Sequence, residues 1–343
     1  MKILYGVNGE GMGHAMRSAE IIKELSKNNN LQIIAGGKAA DYLKKIGNLK
    51  KVNYLSFVSK NGKIDYFKTL LLNLVKSPFL LYNLLYLIIK SLIKRPKLII
   101  TDFEPLTAYL GFILRIPVIS FDNQHIITDA SIPNLKNSSS KLLYKIIVYA
   151  MMPFPKKKII TSFFFPKILK KNSILVKPII REIITKQKPE EGKELLVYLS
   201  LENDAMIKKL EKSKRVCMVY GKTNLKSSKY LKIKKFDEQQ FAKDLANSKA
   251  VICNAGMTTL TESIYLKKPI LCMPIKGQIE QELNAYYIQK KGYGLSKKNI
   301  NEKTINKFLT NLKTYEKSLK KINFSNKKII KTIKRSINEV TSH

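Results

Sequence analysis

Residues 251–285, VICNAGMTTLTESIYLKKPILCMPIKGQIEQELNA, constrain the fold more than any other stretch. An apolar strand, Val251 to Cys253, runs into Asn254-Ala255-Gly256, and a helix opens at Met257-Thr258-Thr259. A second apolar strand, Pro269 to Pro274, ends in Lys276-Gly277, and Gln278, Glu280, Gln281 and Asn284 crowd the next helix start. In an open α/β sheet such strand-to-helix turns share the carboxyl edge, where ligands bind. Gly256 allows a tight turn and a close backbone approach. Free N–H groups at the helix start, aided by the helix dipole, make an anion site. The carboxylate and amides after the second strand suit hydroxyl groups, so the pair of turns describes a sugar nucleotide. Thr259-Leu260-Thr261-Glu262 also has capping-box spacing, in which Glu262 would bond only the Thr259 backbone.

On these residues the stretch resembles the donor-binding region of GT-B fold glycosyltransferases. It is similar to the UDP-sugar enzymes related to the lipid II-forming GlcNAc transferase MurG and to the UDP-glycosyltransferases. The resemblance implies that Gly256, Met257, Thr258 and Thr259 hold the donor diphosphate and that Glu262 binds the ribose. It also implies that Glu280-Gln281, followed by Asn284-Ala285, contact the transferred sugar, with Gln278 beside them. Glu280 stands where plant-type enzymes more often carry Asp.

A chain of 343 residues suggests two domains, each large enough for its own core. The net charge is +38, from 63 basic and 25 acidic residues, and attracts polyanions such as nucleic acid or an anionic membrane. The basic residues are scattered, and no recognition helix, zinc finger or RNA-binding aromatic motif is present, so nucleic acid is not the expected partner. Cys217, Cys253 and Cys272 show no CxxC pairing and read as buried thiols in a reducing compartment. The opening MKILYGVNGEG reads as a strand and turn, not a signal peptide.

Met1 to Val7 has the pattern of a buried strand, and Asn8-Gly9-Glu10-Gly11-Met12-Gly13-His14 leads into an amphipathic helix to about Ser26. The turn is not the dinucleotide fingerprint, because His14 stands where a third glycine belongs and the second strand ends in Gly36-Gly37 rather than near an acid. It resembles the Gly-rich, His-containing first loop of the same glycosyltransferases, which puts Gly11 and Gly13 on the acceptor side and His14 beside the reaction centre. Arg17, one turn on, is either a phosphate or acceptor contact or a solvated helix residue. Two further apolar strands end in Asp102-Phe103-Glu104 and in Asp122-Asn123-Gln124-His125. In a doubly wound sheet these ends and His14 converge on one edge, where a base finds the partner that orients it. Asp102-x-Glu104 also resembles the metal-binding acid pair of the other large glycosyltransferase fold, but the Gly-rich turns argue against that fold, and no metal is assigned. GEGMGHAMR, TDFEP and FDNQH together are similar to a MurG-like prokaryotic branch of GT-B proteins over nearly the whole chain.

Residues 65–93 are long apolar runs broken by Lys76, Ser77 and Pro78, and the uninterrupted runs fall short of the ~20 residues that span a bilayer. They read either as two core helices meeting at the proline or as a segment lying on a membrane surface. Residues 131–174 are polar, then basic and Pro-punctuated, and the domain boundary is expected near 165–180. Pro178-Ile179-Ile180-Arg181 resembles the family's Pro-x-x-Arg element, which implies that Arg181 reaches the donor phosphates; otherwise Arg181 is an ordinary linker residue. Leu195 to Leu199 ends at Ser200, where the family often has Gly-Gly-Ser, so the resemblance implies a donor-phosphate contact for Ser200 without the glycines; Phe236 sits where the family holds the nucleobase, as a wall or as a core residue.

The expected fold is α/β, of GT-B type, with two doubly wound Rossmann-like domains facing across a cleft. Residues 1–170 are the acceptor-side domain, 171–320 the donor domain, and 321–343 a basic helix or tail crossing back to the first. The resemblance implies a glycosyltransferase using a UDP-sugar, inverting, with His14 as base or, failing it, Asp102, Glu104 or His125. Gly256 to Thr259 and Arg181 then stabilise the leaving diphosphate in place of a metal, and no cofactor is expected. The acceptor is expected to be lipid-linked or membrane-proximal, and the protein cytoplasmic and peripheral on an anionic inner membrane face. The alternatives are an enzyme resembling UDP-GlcNAc 2-epimerase and a non-catalytic protein that binds polyanions or membrane.

Overall fold

Apolar strands of three to six residues, separated by helices, assemble into two all-parallel sheets. The computed structural model describes residues 1–60, 63–133 and 138–342. Part of the SIPNLKNSSS stretch and His343 lie outside the described residues. The chain runs β1 (Lys2–Val7), α1 (Met12–Ser26), β2 (Asn30–Ala35), α2 (Gly37–Leu43), β3 (Leu49–Lys51), the short β4 (Ser59–Lys60) and β5 (Lys63–Ile64), then α3 (Tyr66–Ile93). It continues with β6 (Leu98–Asp102), α4 (Pro105–Ile113), β7 (Val118–Asp122), α5 (Ile126–Asp129), α6 (Ser138–Met151), β8 (Lys157–Thr161) and β9 (Ser173–Val176). Then come α7 (Glu182–Thr185), β10 (Leu195–Leu199), α8 (Asp204–Lys212), β11 (Cys217–Gly221), β12 (Leu231–Ile233), α9 (Glu238–Ala246), β13 (Ala250–Cys253) and α10 (Met257–Tyr265). The last elements are β14 (Ile270–Cys272), α11 (Ile279–Lys290), β15 (Gly294–Ser296), α12 (Glu302–Thr310), α13 (Leu312–Lys320) and α14 (Asn326–Thr341).

Two compact units result. The first comprises Met1–Val58, Asp65–Ile179 and Ser325–His343, and the second Ser59–Ile64 and Ile180–Phe324. The division falls after Ile179, inside the 165–180 range though beyond 170, because β9 pairs in register with β8 and so extends the first sheet. The first sheet has the order β3-β2-β1-β6-β7-β8-β9 and the second β12-β11-β10-β13-β14-β15. Each order reverses once, between β1 and β6 and between β10 and β13, which are the topological switch points where open α/β sheets bind ligands.

Strand alternation feeds two cores in the first unit. Ile3, Tyr5, Ile33, Ile100 and Ile119 pack with α1, α2 and α14, while their neighbours Leu4, Ile34, Ile99 and Val118 pack with α3 and α4. Ile329, Ile333, Ile337 and Val340, one helical turn apart, seat α14 in the first of these cores. Lys334 pairs with Glu24 and Lys157 with Glu339 along its flanks.

Residues 66–93 form one helix with Pro78 inside it, not two helices meeting there. A proline frees the carbonyl four residues back. Here that carbonyl, on Leu74, accepts a 2.7 Å hydrogen bond from Ser77 Oγ, so the helix continues.

The three cysteines are free and buried, with Cys253 and Cys272 paired in register on β13 and β14. Burial pushes the thiols of Cys217 and Cys272 up to about 12 and that of Cys253 well above its ordinary value. Since the thiolate is the reactive form, none of the three should react with a thiol reagent in the native protein, and all three should react in denaturant. A thiol titration with and without guanidinium checks this; rapid native labelling would contradict it.

Candidate active site

At the first switch point Val7, the last residue of β1, stands beside Asp102, the last of β6. The loop after β1 is tied to the turn after β6: Asn8 Nδ2 donates to the Phe103 carbonyl at 2.8 Å, and Asn8 Oδ1 accepts from the Glu10 amide at 2.8 Å. Gly11 at φ 82 then reverses the chain into α1, a conformation that L side chains rarely adopt. Phe103 is also in the left-handed region at φ 55, a costly conformation for a residue with a Cβ and one that accumulates at functional turns.

The first turn of α1 thereby places His14 over Asp102. His14 Nδ1 is 2.7 Å from Asp102 Oδ1, and the imidazole is 17% exposed while Asp102 is fully buried. Arg17 Nε is 2.7 Å from Asp102 Oδ2, Arg17 Nη2 pairs with Oδ1, and Ser18 Oγ donates to Oδ2 at 2.9 Å. Burial pushes the Asp102 carboxyl upward, but the Arg17 and His14 charges beside it and their hydrogen bonds outweigh burial, so it lies below its ordinary value. Arg17 Nη2 also lies 2.9 Å from His14 Nδ1, so Asp102 and Arg17 together hold the imidazole at Nδ1 and leave Nε2 on the far side of the ring. This is the arrangement of an oriented general base.

Arg17 is neither a solvated helix residue nor an open anion contact. It is buried, with Nη1 on Asn123 Oδ1 at 2.7 Å as well as its bonds to Asp102. Glu104 is an N-cap, not a base. Its two oxygens accept from the Leu106 and Thr107 amides at the start of α4, and it is only 2% exposed. Asp102 and Glu104 therefore point to different partners, as alternate residues across a turn do. His125 is 1% exposed, and its Nδ1 lies 2.7 Å from Asp122 Oδ2. Burial pushes Asp122 up, yet the facing His125 and the bond from Ser120 bring it down to about 2, so this is a buried pair rather than a second base open to substrate.

At the second switch point Asn254, just after β13, joins three strand ends. Its Oδ1 accepts from the Ser200 amide at 2.9 Å and from Ser200 Oγ at 3.0 Å, and its Nδ2 donates to the Met273 carbonyl at 3.0 Å. Gly256 caps α10 at φ −71, so its turn needs no glycine conformation. A Cβ at Gly256 would meet no atom within 4 Å, so the main chain at this helix start is open to approach. Thr258 and Thr259 are half-buried in the first turn, and Met257 is buried.

Glu262 makes no capping box and presents no oxygen to a ribose. It is buried with both oxygens on Arg181, at 2.6 Å from Nε and 2.8 Å from Nη2. Arg181 Nη1 reaches Glu238 at 2.7 Å. Arg181 is thus not an ordinary linker residue: its guanidinium is turned to carboxylates of its own chain and ties α10 to α9. The reason is desolvation, since a buried carboxylate needs a bidentate cation and finds one 81 residues away. Gln281 and Asn284 are likewise turned to their own chain. Gln281 Oε1 accepts from the Ile275 amide, its Nε2 donates to Gln278 Oε1, and Asn284 Nδ2 donates to the Ala255 carbonyl at 3.0 Å. Glu280 is half-buried in the first turn of α11. Phe236 is 44% exposed on a cluster of Tyr198, Tyr220 and Phe241, the nearest ring centroid being 5.4 Å away, so it is the rim of an aromatic platform rather than a core residue.

Sequence reasoning left Asn123, Asn254 and Glu238 out of the site. Both asparagines directly follow a strand, Asn254 the strand β13 that borders the second switch point and Asn123 the strand β7, one strand removed from the first. Glu238 carries none, because its partner lies 57 residues away.

Two doubly wound parallel sheets make this an α/β fold of the GT-B class. A family model described as "Glycosyl transferase family 1" matches residues 1–313, and the chain belongs to that family. It is similar to an uncharacterized glycosyltransferase of Methanosarcina mazei, 26% identical over 330 residues covering 86% of this chain and 85% of that one. Among solved structures, a Polygonum tinctorium UDP-glucosyltransferase capable of glucosylating indoxyl matches with a TM-score of 0.68 at 13% identity, over 93% of this chain and 92% of that one. A spinosyn rhamnosyltransferase complexed with thymidine diphosphate matches with a TM-score of 0.58 at 11% identity, over 94% and 95%.

Proposed function

We propose that the chain moves a sugar from a UDP-sugar to an acceptor hydroxyl in one inverting displacement that needs no metal. His14 Nε2 takes the acceptor proton, the freed oxygen attacks the anomeric carbon, and the bond from that carbon to the diphosphate breaks with its electron pair leaving on UDP. Asp102 keeps the imidazole in the required tautomer and offsets the imidazolium charge. Amides at the α10 start stabilise the leaving diphosphate. Phe236 stacks on the nucleobase, and Glu280 binds a sugar hydroxyl. Arg181 and Glu262 are positioning residues for α10. The observation that carries the reading is the 2.7 Å approach of His14 to a buried Asp102 at the sheet's switch point.

Uracil and thymine are both pyrimidines, and the names of the two matching solved structures support a pyrimidine nucleotide. The acceptor we propose is lipid-linked or membrane-proximal, with the protein cytoplasmic and peripheral, a reading supported by the exposed apolar surface of α3.

A thermal-shift panel of UDP, GDP, CDP, ADP and dTDP, with and without magnesium, tests the donor assignment. Ligand at a hundredfold excess over Kd stabilises by about 2.7 kcal/mol. Stabilisation by UDP, unchanged by magnesium or EDTA, is expected. No shift with any nucleotide would overturn it, and conversion of UDP-GlcNAc alone to UDP-ManNAc would move the activity to epimerisation.

A further inference from the structure

Helix α3 is long and apolar enough to cross a membrane by length and composition, yet one stripe of it belongs to the first unit. Thr69, Asn83, Leu87 and Ser91 are buried at helical spacing, and Leu80 and Leu84 pack against the core beneath. A span would strip that stripe from the sheet, so the helix stays flat on the domain. Its other faces are apolar and open: Val75, Tyr82 and Ile93 are 72%, 69% and 78% exposed, with Leu74, Phe79 and Ile89 between them.

The apolar surface continues beyond α3. Helices α3 and α4 pack on the same side of the sheet, opposite α1, α2 and α14. Helix α4 exposes Phe112 and Ile113, and its Tyr109 hydroxyl donates to the Ala150 carbonyl in α6, which exposes Leu142 and Ile146. Phe154, 83% exposed, stacks on Phe112 at 5.4 Å. Beside that stack is a groove of about 830 Å³ that includes Arg95, Lys97, Arg115 and Lys156.

Charge identifies what covers this face. From Tyr66 to Arg181 the sequence holds only four acidic residues, Asp102, Glu104, Asp122 and Asp129. All four are buried at 2% exposure or less. The exposed charge from Tyr66 to Arg181 is therefore cationic, on a chain of net charge +38, and the acids beside it are Asp65, which caps α3, and Glu339, which is paired with Lys157. A second copy would bring two cationic rims together, whereas an anionic bilayer offers hydrocarbon to the side chains and phosphate to the rim.

We propose that α3, α4, α6 and Phe154 form one docking face that inserts its apolar side chains into an anionic lipid surface, with α3 lying in the membrane plane and Arg95, Lys97, Arg115 and Lys156 contacting lipid phosphates. The proposal deepens the membrane-proximal part of the proposed function and is independent of the base and donor assignments. Flotation of the full chain with vesicles tests it, with the UDP thermal shift as a separate readout of the donor reading and melting of the unliganded chain as the check on folding. Binding to vesicles of phosphatidylcholine mixed with phosphatidylglycerol is expected, weakened by salt and much weaker with phosphatidylcholine alone. The doubly exposed variant Val75→Asp/Phe79→Asp should lose at least about tenfold in partition while melting as the wild type does. Arg95→Glu/Arg115→Glu should lose the preference for phosphatidylglycerol. Wild type that stays unbound at low salt, or a Val75→Asp/Phe79→Asp variant that floats like it, would overturn the proposal. So would light scattering that shows a dimer in the wild type and a monomer in that variant, since a second copy would then cover the face.

Discussion

His14→Ala abolishes sugar transfer, with an expected loss of about 10²- to 10⁴-fold in kcat, the range for removal of a positioned general base. Asp102 keeps Arg17 and Ser18 as partners in the variant, so no buried charge is stranded and the fold should survive. The proposed donor site lies in the other unit, at the α10 start and Phe236, so UDP should shift the melting temperature of His14→Ala as it shifts that of the wild type. A variant that transfers at close to the wild-type rate would remove His14 from the base role. Asp102→Ala is the weaker experiment, because it leaves the buried Arg17 without its carboxylate and mixes a folding defect with a catalytic one.

Arg181→Met should destabilise the protein by about 3–5 kcal/mol, the cost of leaving one member of a buried ion pair uncompensated. Glu262 is 2% exposed, and both its oxygens rest on Arg181. Glu262→Leu alone should cost a similar amount, because it takes from the buried guanidinium the carboxylate that meets both its Nε and its Nη2. The double variant Arg181→Met/Glu262→Leu should recover most of the loss, since an apolar pair of similar volume replaces a buried ion pair at little net cost. Urea denaturation of the three variants reads this as a double-mutant cycle. Losses that simply add would show that the pair is not coupled. An Arg181→Met variant that keeps its stability but loses the UDP shift would return Arg181 to the donor phosphates. The two roles differ because a positioning residue acts through packing and a phosphate contact acts through bound ligand.

Much of the site was legible because parallel sheets leave local traces. Gly11 before a helix, Gly256 before another, and acids directly after apolar runs are features of a strand end, and strand ends are where these folds bind. The loop sequence put His14 at a strand end, and Asp102, which it meets at 2.7 Å, was among the carboxylates expected to converge there. Roles that depend on distant partners were not legible. Glu262 has the spacing of a capping box, yet Arg181 draws it away; Glu104 resembles half of a metal pair, yet the amides of α4 claim it. Gln281 and Asn284 could serve a sugar by residue type, but they brace the turns at Ile275 and Ala255 instead. Residues 65–93 could be read as two helices or as a surface segment, and only a Ser77 bond to Leu74 and one buried stripe decide that they are a single helix lying on a domain.

By itself, the sequence determined the elements, the parallel class and the strand ends at which chemistry gathers. Those follow from periodicity and from glycine and capping preferences, which act over a few residues. The tertiary structure alone decided which polar groups remain open to a substrate. That depends on which charges must be paired once buried, and a pairing such as Arg181 with Glu262, 81 residues apart, leaves no mark within the span of a helix or a turn.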